Sequence, residues 1–204
     1  MAAARPLSRE LILDTAFALA DREGIESVTM RAVAAKLGVE AMSLYHHVPN
    51  KKAILDGVVD LLVKVAALPT GPVTAEEWIR GAAAGLRALA QQHPRLVPLF
   101  SLRALPLDDP GSAAPFEAGI AAFCAAGHTL ADAYANLQVS AIALLAMTQF
   151  EATAILHSDT ADESALATLN AEQFPLLQQI PSLPTGVDDF WSALVEGLVA
   201  GFAA

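Results

Sequence analysis

The chain is poor in cysteine and in charge: one of its 204 residues is cysteine, 17% are charged and 54% are hydrophobic. The lone Cys124 excludes an internal disulfide and a metal site shared between thiolates, which favours a reducing compartment. So low a charged fraction excludes a disordered chain. The most apolar stretch, from Val139 to Met147, is about half the length of a membrane-spanning helix. We therefore expect a globular protein with a substantial core.

Signals for a leader peptide, for β-strands and for enzyme chemistry are also missing. The segment MAAARPLSRE reaches charged residues before an apolar stretch forms, which predicts a cytoplasmic protein. No alternating apolar and polar run stands out as a strand. There is no nucleophile elbow, no phosphate-binding glycine loop and no close pair of metal ligands. The sequence predicts an all-α fold that is not an enzyme and that uses no metal and no cofactor.

The acidic charge is confined to one part of the chain. The net charge of −10 argues at first against a nucleic-acid partner. However, residues 1–52 contain seven Lys and Arg against six Asp and Glu, whereas residues 53–204 contain five against sixteen. This asymmetry predicts two functional parts in one chain. The near-neutral first part can still bind DNA if its cations share one face. We place the domain boundary between residues 52 and 53.

Capping residues and helix breakers divide the chain into helices. Ser8, Thr29 and Asn50 are typical helix N-caps, and Thr74 with Glu77 makes a capping box. Glycines and prolines supply the stops. The predicted helices are 9–23, 30–37, about 41–47, 51–67, 74–92, a short one to 103, 113–126, 129–157, a weaker one up to 181, and 188–202.

Residues 29–52, TMRAVAAKLGVEAMSLYHHVPNKK, carry the most specific pattern. Two short helices joined at Leu37-Gly38-Val39-Glu40 are typical of a helix-turn-helix, whose second helix enters the major groove of DNA. Apolar residues are expected to hold the pair together: Val33, Ala34, Leu37, Val39 and Leu44. The second helix otherwise carries small, hydroxylic, aromatic and imidazole side chains, which reach base edges and phosphate oxygens: Ala41, Met42, Ser43, Tyr45, His46 and His47.

Lys51 and Lys52 begin the next helix. Two cations there oppose the helix dipole by roughly 0.3 to 1 kcal/mol each. A bound phosphate would reverse this penalty, because it accepts hydrogen bonds from the free backbone N–H groups and pairs with the ammonium groups. The alternative is that both lysines form only a solvated helix end.

Residues 8 to about 60 resemble the DNA-binding domain of the TetR (tetracycline repressor) family, and SLYHHVPNK is close to its tetracycline-repressor branch. The resemblance rests on the Thr29 cap, Leu37-Gly38-Val39 and the run from Leu44 to Lys51. It implies a three-helix helix-turn-helix domain over residues 1–52. A linking helix and a larger helical domain for ligand binding and dimerisation would follow over residues 53–204.

The resemblance also implies roles for residues of the first domain. Phosphate contacts would come from Thr29, Ser43, Tyr45, His47 and Lys51. Base contacts would come from Arg31, Ala41, Met42 and His46. Ala41 departs from the tetracycline-repressor branch, in which a polar side chain often stands at this position. Tyr45 could instead be a packed aromatic, and a metal site at His46 and His47 is disfavoured because adjacent helical residues point in different directions.

The second domain is expected to form a homodimer and to hold a small, largely apolar effector. The helices from Thr129 and Asp188 would pair in a four-helix interface through Ala133, Leu137, Ala141, Leu144, Phe190, Leu194 and Leu198. Candidate effector contacts are Trp78, Phe100, Phe116, Phe123, Asn136, Met147, Phe150, His157 and Phe174. In the alternative interpretation, both helices and these aromatic side chains are simply internal core.

These features predict a repressor that binds a palindromic operator as a homodimer and is released by its effector. One alternative is a helical small-molecule-binding protein or enzyme without sequence-specific DNA binding. Another is a DNA-binding activator or architectural protein that takes no ligand.

Overall fold

The computed structural model describes residues 6–102, 110–157, 170, 172–176, 179 and 186–202. In these residues the chain forms α-helices and short 3-10 helices, and the all-α prediction is confirmed. The α-helices are α1 Arg9–Glu23, α2 Met30–Leu37, α3 Ala41–Leu44, α4 Lys51–Val65, α5 Ala75–Gln92, α6 Pro110–Ala125, α7 Leu130–Leu156 and α8 Val187–Gly201. The 3-10 helices are Ile25–Ser27 and Val97–Leu102. The weaker helix expected up to residue 181 lies largely outside the described residues.

Side-chain caps set the helix starts where the sequence predicts them. The Ser8 hydroxyl accepts from the Leu11 N–H at 3.2 Å. Thr29 and Asn50 accept in the same way from the third residue beyond them, at 3.1 and 2.9 Å. At the start of α5, Thr74 and Glu77 exchange bonds in a capping box. Each cap satisfies a backbone donor that the first helical turn leaves unpaired.

The second helix of the helix-turn-helix is shorter than the predicted 41–47. Regular α-helix ends at Leu44, and residues 45–47 continue as turns in which the His47 N–H donates to the Leu44 carbonyl at 2.9 Å. The Val48 N–H donates to the same carbonyl at 2.9 Å. Pro49 keeps Val48 out of the helical conformation, since the residue before a proline avoids it, so the turns do not return to regular helix before α4. Leu44 and Val48 are both buried, which anchors this turn to the core.

The first four helices pack into the N-terminal unit. Helix α1 lies against α4 at Gly57, where a Cβ atom would stand 2.6 Å from both terminal carbons of Leu13. Glycine therefore allows the two helices to approach closely. Helix α4 runs through the predicted boundary at residue 52 and continues to the second domain, so the division there stays a prediction.

Two contacts join the N-terminal unit to α5. The end of α4 rests on Gly85, where a Cβ atom would stand 1.9 Å from the Ala66 carbonyl oxygen. Near the end of α1, the ring of Phe17 meets His93 edge-on at 5.2 Å, and the Asp21 carboxylate lies 3.0 Å from His93 Nδ1. Gly85 and His93 lie about 12 Å apart along α5, at 1.5 Å per residue. This helix therefore supports the N-terminal unit at two points.

Among the described helices, α7 is long and apolar enough to cross a membrane by length and composition. Only 28% of its most apolar window is buried in the protomer. One face packs into the core through Ala133, Leu137 and Leu144, against α5 and α6. The opposite face is also apolar. This helix is therefore a core helix that presents a second apolar face outward.

Candidate DNA-binding face and effector domain

Gly38 makes the tight turn between α2 and α3. It adopts φ 68° and ψ 29°, a left-handed conformation that glycine reaches without steric cost. Its N–H donates to the carbonyls of Ala34 and Ala35, and the Val39 N–H donates to Ala34 at 3.0 Å. These bonds close α2 and set the direction in which α3 leaves. The predicted turn is therefore present in the structure.

Helix α3 is held by one buried side chain and exposes the rest of its surface. Leu44 has no exposed area, whereas Met42 is 70% exposed and Tyr45 47% exposed. His46 and His47 are exposed, and Ala41 and Ser43 are half-buried. An apolar side chain as exposed as Met42 gains nothing from the core, so it is available for contact with a partner. The predicted DNA-facing residues of α3 and its following turn are therefore all exposed or half-buried.

Three cations of the N-terminal unit form ion pairs among the described residues. Arg22 and Lys36 both pair with Glu23, at 2.9 and 3.5 Å. The hydrogen bond from Arg22, with the charge of Lys36 nearby, lowers the pKa of Glu23 below the ordinary carboxyl value. Lys52 pairs with Asp56 at 2.8 Å. These three cations already have anionic partners.

Arg31 and Lys51 form no ion pair among the described residues. Arg31 is exposed on α2, two residues after the exposed Thr29 cap, and Lys51 opens α4 directly beyond the turn that follows α3. Arg31 and Lys51 thus flank the exposed surface of α3, whereas Arg9, which also forms no ion pair among the described residues, lies on α1. We call this surface, formed by Thr29, Arg31, Ala41, Met42, Ser43, Tyr45, His46, His47 and Lys51, the reading face.

Comparisons with known proteins agree with this geometry. A family model described as bacterial regulatory proteins, tetR family, matches residues 12–58, which include the turn and α3. An HTH-type transcriptional regulator of Saccharopolyspora erythraea is 31% identical over 204 residues, covering 97% of this chain and 85% of that protein. The chain belongs to the TetR family of transcriptional regulators. The tetracycline repressor protein class D of Escherichia coli is 40% identical over 73 residues, covering 35% of this chain and 33% of the repressor.

Solved structures show the same fold over nearly the whole chain. Apo ActR from Streptomyces coelicolor superposes with a TM-score of 0.82 at 24% identity, covering 98% of this chain and 97% of ActR. The complex of ActR with actinorhodin gives the same TM-score. The expected architecture of a TetR protein, a helix-turn-helix domain followed by a larger helical domain, is confirmed. The curated relatives reported above are transcriptional regulators.

The larger domain of this TetR protein brings three of the predicted effector residues into its core. Trp78 is 2% exposed, Phe116 9% and Phe123 fully buried. The Trp78 indole N–H donates to the Pro115 carbonyl at 2.9 Å, which ties α5 to α6. Leu137 and the Trp78 ring both lie beside Gly119, at 2.6 and 2.8 Å from the position of an added Cβ. Phe100, Asn136 and Met147 are half-buried.

The structure does not bring the other predicted effector residues to this cluster. Phe150 is half-exposed and meets Phe190 of α8 edge-on, with ring centroids 6.0 Å apart. His157 is exposed at the end of α7, and Phe174 is 44% exposed. Their assignment to an effector site stays a prediction, made from residue type alone.

Ser140 and Glu151 are buried polar residues of α7. The sequence indicates Glu151 as one of several polar groups that could orient an effector, and it does not indicate Ser140. The Ser140 side chain has no exposed area, and its hydroxyl has no hydrogen-bond partner among the described residues. Glu151 is 5% exposed and joins side chains of three helices. Ser140 does not stand out in the sequence, because a serine in a helix is ordinarily solvent-facing.

The apolar face that α7 and α8 present outward differs from the predicted interface. Ala133, Leu137 and Leu144 were expected at a subunit interface and are instead buried inside the protomer, so that assignment is wrong. Leu194 and Leu198 are half-buried against the core. The exposed apolar positions form a stripe at helical spacing, which we call the outer stripe: Ala135, Val139, Ile142, Ala146 and Phe150 on α7, with Phe190, Ala193, Gly197 and Ala200 on α8.

Proposed function

We propose that this TetR-family regulator represses transcription by binding a two-fold symmetric operator as a homodimer, and that a small, largely apolar molecule releases it. The observation that carries the proposal is the reading face, in which Arg31 and Lys51, which form no ion pair among the described residues, flank an exposed helix that has one buried anchor. DNA offers phosphates that pair with these cations and base edges that the exposed side chains can contact.

Roles on the reading face follow from the chemistry of each side chain. The Lys51 ammonium lies at the N-terminus of α4, where a phosphate would also accept from free backbone N–H groups. The hydroxyls of Thr29, Ser43 and Tyr45 and the imidazole of His47 suit phosphate oxygens. Arg31 suits a bidentate contact with guanine, and the exposed Met42 suits a thymine methyl group. Ala41 and His46 would complete the base contacts.

The outer stripe supports a second copy of the chain as the partner of α7 and α8. Ile142 is 67% exposed, Val139 51% and Phe150 50%, which is unusual for a protein that stays monomeric. The small residues on α8 allow close approach, since nothing lies within 4 Å of a Cβ added at Gly197 or Gly201. The edge-on contact of Phe150 with Phe190 makes the stripe continuous between the two helices. Pairing across it would produce a four-helix interface.

The effector site is proposed inside the larger domain, beside the buried Trp78, Phe116 and Phe123. ActR, whose fold this chain shares, is known in complex with actinorhodin and with (S)-DNPA. In this chain the apolar core cluster favours an apolar effector body, and the Ser140 hydroxyl, which has no partner among the described residues, favours one hydrogen bond to it. An effector releases the operator only if it binds the DNA-free conformation more tightly than the bound one.

The test of the proposal is selection of bound duplexes from a random DNA pool by the purified protein, followed by sequencing. Two half-sites related by two-fold symmetry, with centres about one helical turn or a multiple of it apart, are the expected result. Enrichment of a single unrepeated site would contradict the homodimer. Absence of enrichment would contradict sequence-specific binding by the reading face.

Lys51→Ala is expected to weaken operator binding and to reduce its salt dependence. The slope of log K against log salt is negative, and each lost phosphate contact makes it less steep by about 0.9, hence by about 1.8 for the two copies in a dimer. Filter binding at several salt concentrations measures the slope. Lys52→Ala is the matched control, because Lys52 already pairs with Asp56, and its effect should be less than half as large. Equal slopes for both variants would contradict the role given to Lys51.

Ser140→Ala is expected to leave the free protein as stable as the wild type or more stable. An unpaired buried hydroxyl costs about 1 to 3 kcal/mol, and its removal raises Tm by roughly 2–4 °C for each kcal/mol gained. Ser192→Ala is the control, since that exposed hydroxyl donates to the Asp188 carbonyl at 2.9 Å. Thermal unfolding followed by circular dichroism gives both Tm values. A clear fall in the Tm of Ser140→Ala would mean that the hydroxyl already has a partner in the free protein.

A further inference from the structure

Two arginines of α5 form ion pairs with carboxylates of α8. The Arg80 guanidinium donates to both carboxylate oxygens of Glu196, at 2.7 and 3.2 Å. Arg87, two turns further along α5, pairs with Asp188 near the start of α8. The hydrogen bond from Arg80 lowers the pKa of Glu196 below the ordinary carboxyl value. The two pairs set an antiparallel register between the helices, although exposed ion pairs of this kind contribute little alone.

A buried carboxylate joins the same two helices to α7. The Trp191 indole N–H of α8 donates to Glu151 Oε2 at 2.7 Å. The Gln91 amide of α5 donates to Glu151 Oε1 at 3.1 Å, and Arg87 Nε lies 3.4 Å from the same oxygen. Both carboxylate oxygens are therefore occupied by donors from two other helices. We call Glu151, Trp191, Gln91 and Arg87 the carboxylate hub.

The hub lies between the outer stripe and the supports of the N-terminal unit. Phe150 of the stripe is the residue before Glu151, and Phe190 is the residue before Trp191. On α5, Arg87 and Gln91 fall between Gly85 and His93, which carry the contacts with α4 and α1. A charged group buried this deeply is strongly disfavoured unless its partners stay in place. The hub consequently resists sliding of α5 relative to α7 and α8.

We propose that Glu151 is a positioning residue that fixes the distance between the two reading faces of the dimer, and so makes the protein selective for one half-site spacing. This inference rests on the proposed homodimer. In the proposed dimer, α5 supports the N-terminal unit, and α7 and α8 pack against the partner subunit. The hub connects these three helices, so it couples the position of the reading face to the dimer interface. Loosening the hub lets each reading face shift. The affinity for operators of altered half-site spacing then comes closer to the affinity for the natural operator.

Glu151→Gln tests this, because it keeps the side-chain size and replaces one acceptor oxygen with a donor amide among three donors. Affinity is measured for the selected operator and for duplexes whose half-sites are one base pair closer or further apart. We expect the wild type to discriminate against both altered duplexes, and the variant to lose about five-fold or more of that discrimination while remaining a dimer. Trp191→Phe removes only one donor. It should lower the ratio of the affinity for the selected operator to the affinity for the altered duplexes, as Glu151→Gln does.

Glu117→Gln, the same substitution at an exposed position of α6, is the matched control and should keep the wild-type ratio. A dimeric Glu151→Gln protein with the wild-type ratio would overturn the inference and leave the proposed function standing. A wild type that binds no symmetric operator as a dimer would overturn the proposed function and the inference with it. Should Glu151→Gln fail to fold, Trp191→Phe decides by the same ratio.

Discussion

Replacing Ile142 with glutamate is expected to convert the dimer to a monomer and to lower operator affinity by roughly 10²–10⁴. Ile142 is 67% exposed in the middle of the outer stripe, with apolar residues on both sides of it along α7. A carboxylate there would have to be buried without a partner when two copies pair, which disfavours association strongly. A monomer reads only one half-site and loses the gain from binding two linked sites at once.

Analytical ultracentrifugation gives the subunit association, and titration of the selected operator gives the affinity. Ala121→Glu, at an exposed position on α6 outside the stripe, is the control for adding one negative charge to an acidic protein. It should remain dimeric, with a small change in affinity that high salt removes. Dimeric Ile142→Glu with the wild-type affinity would show that another surface pairs the subunits.

The helix-turn-helix was predictable from sequence because each of its signals is local. The Thr29 cap bonds to a donor three residues away, and Gly38 adopts the left-handed conformation that its own turn requires. Within this motif, only the length of the helix after the turn differs from the prediction. Buried Val48, directly before Pro49, draws the chain into the core earlier than the helical pattern indicates.

The faces of α7 were not predictable in the same way, because both are apolar with the same spacing. Ala133, Leu137 and Leu144 recur at helical intervals and face the core, whereas Val139 and Ile142 do so on the outer face. Hydrophobic periodicity identifies a buried helix face only when the opposite face is polar. The position of the neighbouring helices decides between the two faces, and a single sequence does not contain it.

The effector domain depends on contacts between residues far apart in the chain. Trp78 donates to Pro115 across 37 positions, and Trp191 donates to Glu151 across 40. Residue type proposed Trp78, Phe116, Phe123 and Phe150 alike as effector contacts, and it could not separate the three that are buried from Phe150, which lies on the outer stripe. Ser140 becomes a candidate only once its burial and the lack of a partner among the described residues are known.

Gly85→Ala is expected to destabilise the protein by about 1 to 3 kcal/mol and to weaken operator binding by about ten-fold. Alanine inside a helix ordinarily stabilises relative to glycine by roughly 0.5–1 kcal/mol, so the expected sign is reversed. The added Cβ would stand 1.9 Å from the Ala66 carbonyl oxygen and 3.1 Å from its carbon. Both are backbone atoms, which cannot relieve the contact by a change of rotamer. The end of α4 therefore has to move away from α5.

That displacement should reach DNA binding because α4 begins at Lys51 on the reading face and ends on Gly85. Gly81→Ala, one turn earlier on α5, is the matched control. Its Cβ would meet only the ring of Pro69, at 2.6 Å from Cγ, so a small shift of the loop relieves the contact and operator affinity should stay within about two-fold. Urea unfolding and operator titration measure both effects. Equal stability and equal operator affinity of Gly85→Ala and Gly81→Ala would contradict the claim that the contact between the end of α4 and Gly85 positions the reading face.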